Sequence, residues 1–230
     1  MTIASTLQRL RMSLLDSAGT IVFGMEDGTV SIFGLIFGVA ATTTSTKTVL
    51  IAGASGAVAA AVSMMAGAYL DVETTRDEMK AKRELLQADA ARGSASLPAR
   101  LAKAGLTPQQ SAALTAAVQS DQAALGGLLI ALQGEPDAPS SPWEQALWML
   151  FADFLAAAVP ILPFVFVPIA PARIVSGVVT TALLVALGVG RARLAKRSIA
   201  RTVMETVSIG LTAALAGVAI GVLIERFFTP

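Results

Sequence analysis

The stretch GTVSIFGLIFGVAATTTST at residues 28–46 carries no ionisable side chain and consists of apolar, small and hydroxyl residues. A helix of about 20 residues of this kind crosses the ~30 Å hydrocarbon core of a bilayer. Four further stretches also lack ionisable side chains, namely 48–70, 154–172, 174–190 and 206–224. The sequence therefore predicts an all-α integral membrane protein with five transmembrane helices.

The overall composition excludes several classes of function. Only 14% of the 230 residues are charged, against about 25% in soluble domains. The chain has no Cys and no His, which excludes thiolate or imidazole metal sites, a Cys nucleophile and His-based acid–base catalysis. No nucleophile–base pair or phosphate-binding glycine loop is visible. We therefore expect no enzyme, no cofactor and no nucleic-acid partner.

The basic residues predict how the chain is oriented in the membrane. They cluster before the first stretch, between the second and third, and between the fourth and fifth. Short loops rich in Lys and Arg face the cytoplasm. We therefore expect membrane lipid as a partner and a multi-pass protein whose N-terminus and polar segment are cytoplasmic. The Ala- and Arg-rich composition favours a bacterial plasma membrane.

The same reasoning divides the chain into four segments. They are an amphipathic N-terminal segment at the membrane surface (1–20), transmembrane helices 1 and 2 (21–70), a cytoplasmic helical domain (71–140) and transmembrane helices 3 to 5 (141–230). The cytoplasmic part is predicted to be a small unit of three helices. These are the continuation of the second span from Tyr69 to Ala91, a helix at Leu97–Ala104 and an amphipathic stretch at Ser111–Leu132.

Three acidic residues are candidates for a transport pathway. Asp27, with Glu26 before it, stands at the start of the first apolar stretch, where it either caps a helix N-terminus or binds a cation at the mouth of a pathway. Asp153 lies about ten residues into the third span, near the middle of the membrane. A carboxyl group there is either functional or paired with another helix.

Other residues have both a structural and a functional interpretation. Met64 in the second span is either a packing residue or a soft ligand for a transition metal. Gly24, Gly28, Gly34 and Gly38 form two small-xxx-small pairs, which favour a dimer through the first span. The acids between Asp71 and Glu135 either gather around a cation or form a solvated helix face.

Several motifs in order resemble the vacuolar iron transporter family, which has bacterial members. Asp27-Gly28 resembles the start of the family's first span, and SMMAGAY at 63–69 is similar to the family's Ser-Met-x-x-Gly-Glu-Tyr. The later matches are TTRD at 74–77, Ser141-Pro142-Trp143 and PILPF at 160–164. The resemblance extends from about Asp27 to Phe227.

The resemblance implies a homodimer that exchanges Fe²⁺, and often Mn²⁺, against protons and moves the metal out of the cytoplasm. Its pathway would lie between the first spans of two subunits. Asp27 matches the transport aspartate of the family and Met64 its second-span methionine. Glu84 and Glu135 match acidic positions of the family's metal-collecting cytoplasmic helices.

Three departures from the family pattern raise alternatives. Ala68 replaces the glutamate of Gly-Glu-Tyr, and Lys80 and Lys82 replace glutamates. We expect Asp153 to stand in partly for the carboxylate missing at Ala68, because the family has an apolar residue at the position of Asp153. The alternatives are a non-transporting sensor or scaffold with the same fold, and a transporter of a different cation.

Overall fold

The computed structural model describes residues 3–91, 97–118, 121, 124–125, 127–128 and 141–228. The helices that these residues form are α1 (Ile3–Asp16), α2 (Ala18–Thr42), α3 (Thr46–Ala91), α4 (Leu97–Lys103), α5 (Pro108–Val118), α6 (Pro142–Ile161), α7 (Pro163–Phe166), α8 (Ile169–Leu194) and α9 (Ile199–Phe228). No strand occurs in these ranges. Five of the helices, α2, α3, α6, α8 and α9, are long and apolar enough to cross a membrane. The predicted all-α fold with five transmembrane helices is confirmed.

The chain divides into two compact units, one formed by Met1–Leu70 with Ser140–Pro230 and the other by Asp71–Pro139. In the first unit, α2 packs most extensively, against α6 on one side and α9 on the other. The buried core of this unit includes Ile32, Ile36, Ala157 and Phe164. The central position of α2 means that its side chains meet most of the other helices.

Glycines set the distance between α2 and its neighbours. A Cβ at Gly24 would lie 2.6 Å from the Sδ of Met149 on α6, and one at Gly38 would lie 2.6 Å from the carbonyl oxygen of Gly217 on α9. Gly34 meets Ala213 on α9. Because residue numbers rise together in these contacts, α6 and α9 run parallel to α2.

The opposite direction holds for α8. Its early residue Arg173 bonds near the end of α2, at Ala40, whereas its late residue Arg191 bonds to Glu26. Helices α2 and α8 are therefore antiparallel. The directions of α2, α6, α8 and α9 agree with successive crossings of a membrane.

Proline shapes the connection between α6 and α8. Pro160 lies inside α6, where it cannot donate a backbone hydrogen bond. The buried hydroxyl of Ser176 on α8 donates to the carbonyl oxygen of Pro160 at 2.7 Å. After Pro163 and the short α7, α8 begins just beyond Pro168. The carbonyl group of Pro160 in this connection thus has a protein hydrogen-bond partner.

The second unit has its own small core of Leu97, Leu101 and Leu125, with α4 packed on α5. Within the amphipathic stretch predicted over Ser111–Leu132, α5 ends at Val118, and much of the rest, including 129–132, lies outside the described residues. Asp121 lies outside a helix, and its Oδ1 accepts a hydrogen bond from the backbone N–H of Ala124 at 3.0 Å. Asp121 therefore acts as the cap of a new helical turn.

Candidate functional site

The first transmembrane helix begins earlier than its apolar stretch. Helix α2 starts at Ala18, so Asp27 lies about two and a half turns inside it. The interpretation of Asp27 as the cap of a helix N-terminus is therefore wrong. Glycine and apolar residues before Glu26 extend the helix, and the two carboxylates become part of its side rather than its end.

Glu26 is held by two other helices. The guanidinium of Arg191 on α8 donates to Glu26 Oε1 at 3.1 Å, and the hydroxyl of Thr206 on α9 donates to the same oxygen at 2.8 Å. The side chain of Glu26 is 13% exposed and that of Arg191 is 38% exposed. Charge-assisted hydrogen bonds of this kind neutralise a half-buried carboxylate.

Asp27 has no such partner. Within the described residues its carboxylate makes neither a hydrogen bond nor an ion pair. It lines a cavity of about 580 Å³ together with Glu26 and Arg191. The remaining walls are mostly apolar and consist of Gly19, Val22, Phe23, Val30, Leu194, Ala195 and Ile209. The cavity therefore offers one unpaired carboxylate in apolar surroundings.

Asp153 lies close to this carboxylate on a different helix. Its side chain is fully buried, and neither carboxyl oxygen has a hydrogen-bond partner in the described part of the chain. A Cβ at Gly28 would lie 2.8 Å from Asp153 Oδ1, so the missing side chain of Gly28 leaves the room for this carboxyl group. Asp27 immediately precedes Gly28 in α2, so Asp27 and Asp153 lie at the same level of the α2–α6 contact. The structure thus brings two of the predicted pathway residues together.

The four glycines of α2 are engaged within one chain. Gly24 and Gly28 lie against α6, and Gly34 and Gly38 lie against α9. All four are buried in these contacts. The close helix approach that they permit is used between helices of a single subunit, so we do not place a dimer interface at these glycines.

The other predicted ligands are Met64, Glu84 and Glu135. Met64 is half-buried on α3 and is not among the residues that line the cavity. Glu84 is exposed, and Glu135 lies outside the described residues. Over the described ranges, no three side chains of the types His, Cys, Asp and Glu form a group that could hold a metal ion. The acidic pair is therefore an incomplete ligand set by itself.

Sequence reasoning missed two arginines and a threonine. Arg191 counted only toward the cytoplasmic charge, and Arg173 counted only as one of the few basic residues elsewhere. Thr206 is the first residue of the apolar stretch 206–224, and no motif marks it. Arg173 and Arg191 are basic residues near the two ends of α8. This placement is the one signal in the sequence that could have indicated α2 as their shared partner.

Comparison with known proteins places the chain in a family. The model of a protein family described as the VIT family matches residues 18–222. The chain belongs to the VIT family. The family resemblance inferred from the sequence motifs is thereby confirmed.

Relatives within the VIT family are similar over most of the chain. Vacuolar iron transporter 1 of Arabidopsis thaliana is 26% identical over 214 residues, which cover 90% of this chain and 85% of the relative. Vacuolar iron transporter 1 of Eucalyptus grandis is 26% identical over 204 residues, covering 85% and 82%. Because the relatives in this family are transporters, the VIT protein described here is not an enzyme.

Proposed function

We propose that this VIT protein moves a divalent transition-metal ion, Fe²⁺ or Mn²⁺, out of the cytoplasm in exchange for protons. The observation that carries the proposal is the unpaired carboxylate of Asp27 in a 580 Å³ cavity of the membrane unit. An ionisable side chain at this depth is costly unless it meets a partner. Iron transport by named relatives makes a metal ion the best candidate for that partner.

Asp153 is proposed as the second carboxylate of the pathway. It is fully buried and lacks a hydrogen-bond partner in the described residues. Burial of an unpartnered carboxylate is unfavourable, and either a cation or a proton relieves it. We propose that Asp153 partly replaces the glutamate that the family has at Ala68. Met64 is proposed to supply a soft thioether ligand along the same route.

The incomplete ligand set supports a homodimer. Two carboxylates do not fill the coordination sphere of Fe²⁺ or Mn²⁺, so further ligands come from water, from backbone carbonyls or from a second copy. The α2 face that carries Val22, Phe23 and Asp27 lines the open cavity, and Phe23 is 56% exposed there. A second copy on this face would bring its own Asp27 to the site.

The membrane orientation follows from the basic residues. We propose that the N-terminus and the 71–140 helical domain are cytoplasmic, with transmembrane segments at 21–70 and 141–230 and an interfacial segment at 1–20. This arrangement puts the Glu26–Arg191 end of the cavity toward the cytoplasm. Export then starts from that end.

Flux into proteoliposomes tests the proposal. Purified protein is reconstituted in liposomes that contain calcein, and Fe²⁺ or Mn²⁺ entry is followed by quenching under an imposed pH gradient. We expect gradient-dependent flux that Asp27→Ala lowers by about tenfold or more, since a lost ligand contact of ~1.4 kcal/mol corresponds to a factor of ten. Asp16→Ala is the matched control, because Asp16 is exposed at the end of α1. Absence of flux from folded wild-type protein contradicts the proposal.

One observation favours a second candidate, a non-transporting membrane protein with the same fold. The acidic side chains Asp71, Glu73 and Glu84 are exposed, and Lys80 and Lys82 lie among them. Such a surface is a poor metal collector, because basic side chains repel a cation. Mn²⁺ binding by the full-length protein without any flux would favour the sensor or scaffold over the transporter.

A further inference from the structure

The contact of Glu26 with Arg191 and Thr206 joins three helices at the wall of the cavity. Glu26 contributes from α2, Arg191 from α8 and Thr206 from α9. The same cavity wall contains Asp27, one residue away from Glu26 in the chain. Arg191 therefore places a permanent positive charge at the position where the proposed cation has to approach Asp27.

The two charges of this ion pair differ in how firmly they are enclosed. The Glu26 side chain is 13% exposed, whereas that of Arg191 is 38% exposed. If Arg191 moves away, Glu26 still accepts the hydrogen bond from the Thr206 hydroxyl, at 2.8 Å. A long arginine side chain with this exposure can turn toward water at little cost, because partly exposed ion pairs contribute little to stability. The pair can therefore open on the Arg191 side.

We propose that Arg191 is a built-in competitor of the transported cation and determines its specificity. When a divalent cation enters the cavity and meets Asp27, Glu26 exchanges Arg191 for the cation and becomes a further carboxylate ligand. A divalent ion attracts a carboxylate twice as strongly as a monovalent ion at the same distance. Arg191 thus favours divalent over monovalent cations. The inference rests on the proposed function and adds a specificity-determining residue to it.

An ion pair with a purely structural role gives a different signature. If Glu26 and Arg191 only hold helices together, loss of either partner weakens the same contact, and both variants change transport in the same direction. If Arg191 competes with the cation, its loss exposes Glu26 to the cation, whereas loss of Glu26 removes a ligand. The two single variants then shift the apparent affinity in opposite directions.

The experiment measures initial Mn²⁺ flux against Mn²⁺ concentration in proteoliposomes for wild type, Arg191→Gln, Glu26→Gln and the double variant. We expect Arg191→Gln to lower KM by about two- to fivefold, as expected for a half-exposed ion pair, and to increase inhibition by K⁺. Glu26→Gln raises KM. In the double variant, loss of Arg191 no longer lowers KM, because its partner carboxylate is absent.

Arg193→Gln is the matched control, since Arg193 lies in the same last turn of α8 and its side chain is exposed. Arg193→Gln removes one positive charge at a position outside the cavity, and it should leave the KM for Mn²⁺ unchanged. The inference is overturned if KM shifts in the same direction in Arg191→Gln and Glu26→Gln. It is also overturned if Arg191→Gln and Arg193→Gln have equal KM values. In both cases the proposed function stands as long as the wild type shows flux. Absence of wild-type flux overturns both. If Arg191→Gln does not fold, Arg191→Met, which keeps a long side chain and removes the charge, takes its place, and the opposite shifts are then sought between Arg191→Met and Glu26→Gln.

Discussion

Arginines near the two ends of α8 both hold α2, but they have different partners. At one end, Arg191 binds the carboxylate of Glu26 at the wall of a 580 Å³ cavity. At the other end, Arg173 donates to the backbone carbonyl oxygens of Ala40 and of Thr43, the latter at 3.2 Å. One end of the helix pair is thus joined through side chains and the other through the backbone.

Because of this difference, the two ends of the α2–α8 helix pair have different roles. The last carbonyl groups of a helix have no partner within the helix, and the helix dipole adds negative potential there. Arg173 satisfies these groups, whose positions are set by the backbone of α2. At Glu26 the more exposed partner is the Arg191 side chain, which under the proposal above leaves the carboxylate to a cation. The Arg173 end therefore stabilises the fold, and the Arg191 end is available for exchange.

The largest expected effect is a difference between these two arginines in what each contributes to the free energy of unfolding. Arg173→Gln removes charge-assisted hydrogen bonds to two carbonyls, each worth about 1.5–3 kcal/mol, and we expect a loss of about 2–3 kcal/mol in the free energy of unfolding. Arg191→Gln loses a half-exposed ion pair and should cost about 1 kcal/mol or less. SDS-induced unfolding followed by far-UV circular dichroism measures both. A loss from Arg191→Gln as large as that from Arg173→Gln contradicts the division of tasks.

The same contrast explains what the sequence could predict. Runs without ionisable side chains located all five spans, because a lipid-facing helix excludes charge along its middle. They did not locate the start of α2, since Glu26 and Asp27 lie inside that helix and the partners of Glu26 come from other helices. Arg191 is 165 residues from Glu26 in the chain. No local pattern reports a contact at that separation.

The candidate site was predicted in part for the same reason. Asp153 could be selected from its depth in an apolar stretch, where a lone carboxyl group is unusual. Its position beside Gly28 depends on the register of α2 against α6, which the sequence does not encode locally. The four glycines of α2 indicated close helix contacts correctly, but their spacing cannot distinguish a contact within one chain from a contact between two chains.

The next prediction tests the packing of α2 away from the cavity wall that holds Asp27. A Cβ at Gly38 would lie 2.6 Å from the carbonyl oxygen of Gly217, so Gly38→Ala forces α2 and α9 apart near the Arg173 end. We expect a loss of about 2 kcal/mol in the free energy of unfolding, typical of overpacking. The KM for Mn²⁺ should not change, because Gly38 is far from Asp27 along α2. Gly67→Ala is the control, since a Cβ at Gly67 meets no atom within 4 Å.

At Asp153 we expect a smaller change in the free energy of unfolding, and in the opposite direction. Asp153→Asn keeps the shape of the side chain and removes a buried charge that has no partner in the described residues. The free energy of unfolding should rise by about 1 kcal/mol, because an amide is less costly to bury than a carboxylate. Flux should fall, since the second carboxylate is lost. Wild-type flux from Asp153→Asn would show that Asp153 does not replace the missing glutamate.

The smallest effect concerns the helix end beside Arg191. Lys196 has a φ of 51°, in the left-handed region, and Arg197 N–H bonds to the Ala192 carbonyl at 2.9 Å. Gly105 ends α4 with the same pattern, a φ of 91° and a Leu106 N–H bond to Leu101 at 3.1 Å.

Because glycine adopts this conformation without strain, Lys196→Gly should raise the free energy of unfolding by about 0.5 kcal/mol. Gly105→Ala should lower it by about 1 kcal/mol for the converse reason. SDS unfolding measures both changes, and Mn²⁺ flux should be unaltered in Lys196→Gly because Arg191 keeps its partners. A changed KM in Lys196→Gly would mean that strain at this helix end, rather than competition by Arg191, controls access to Glu26.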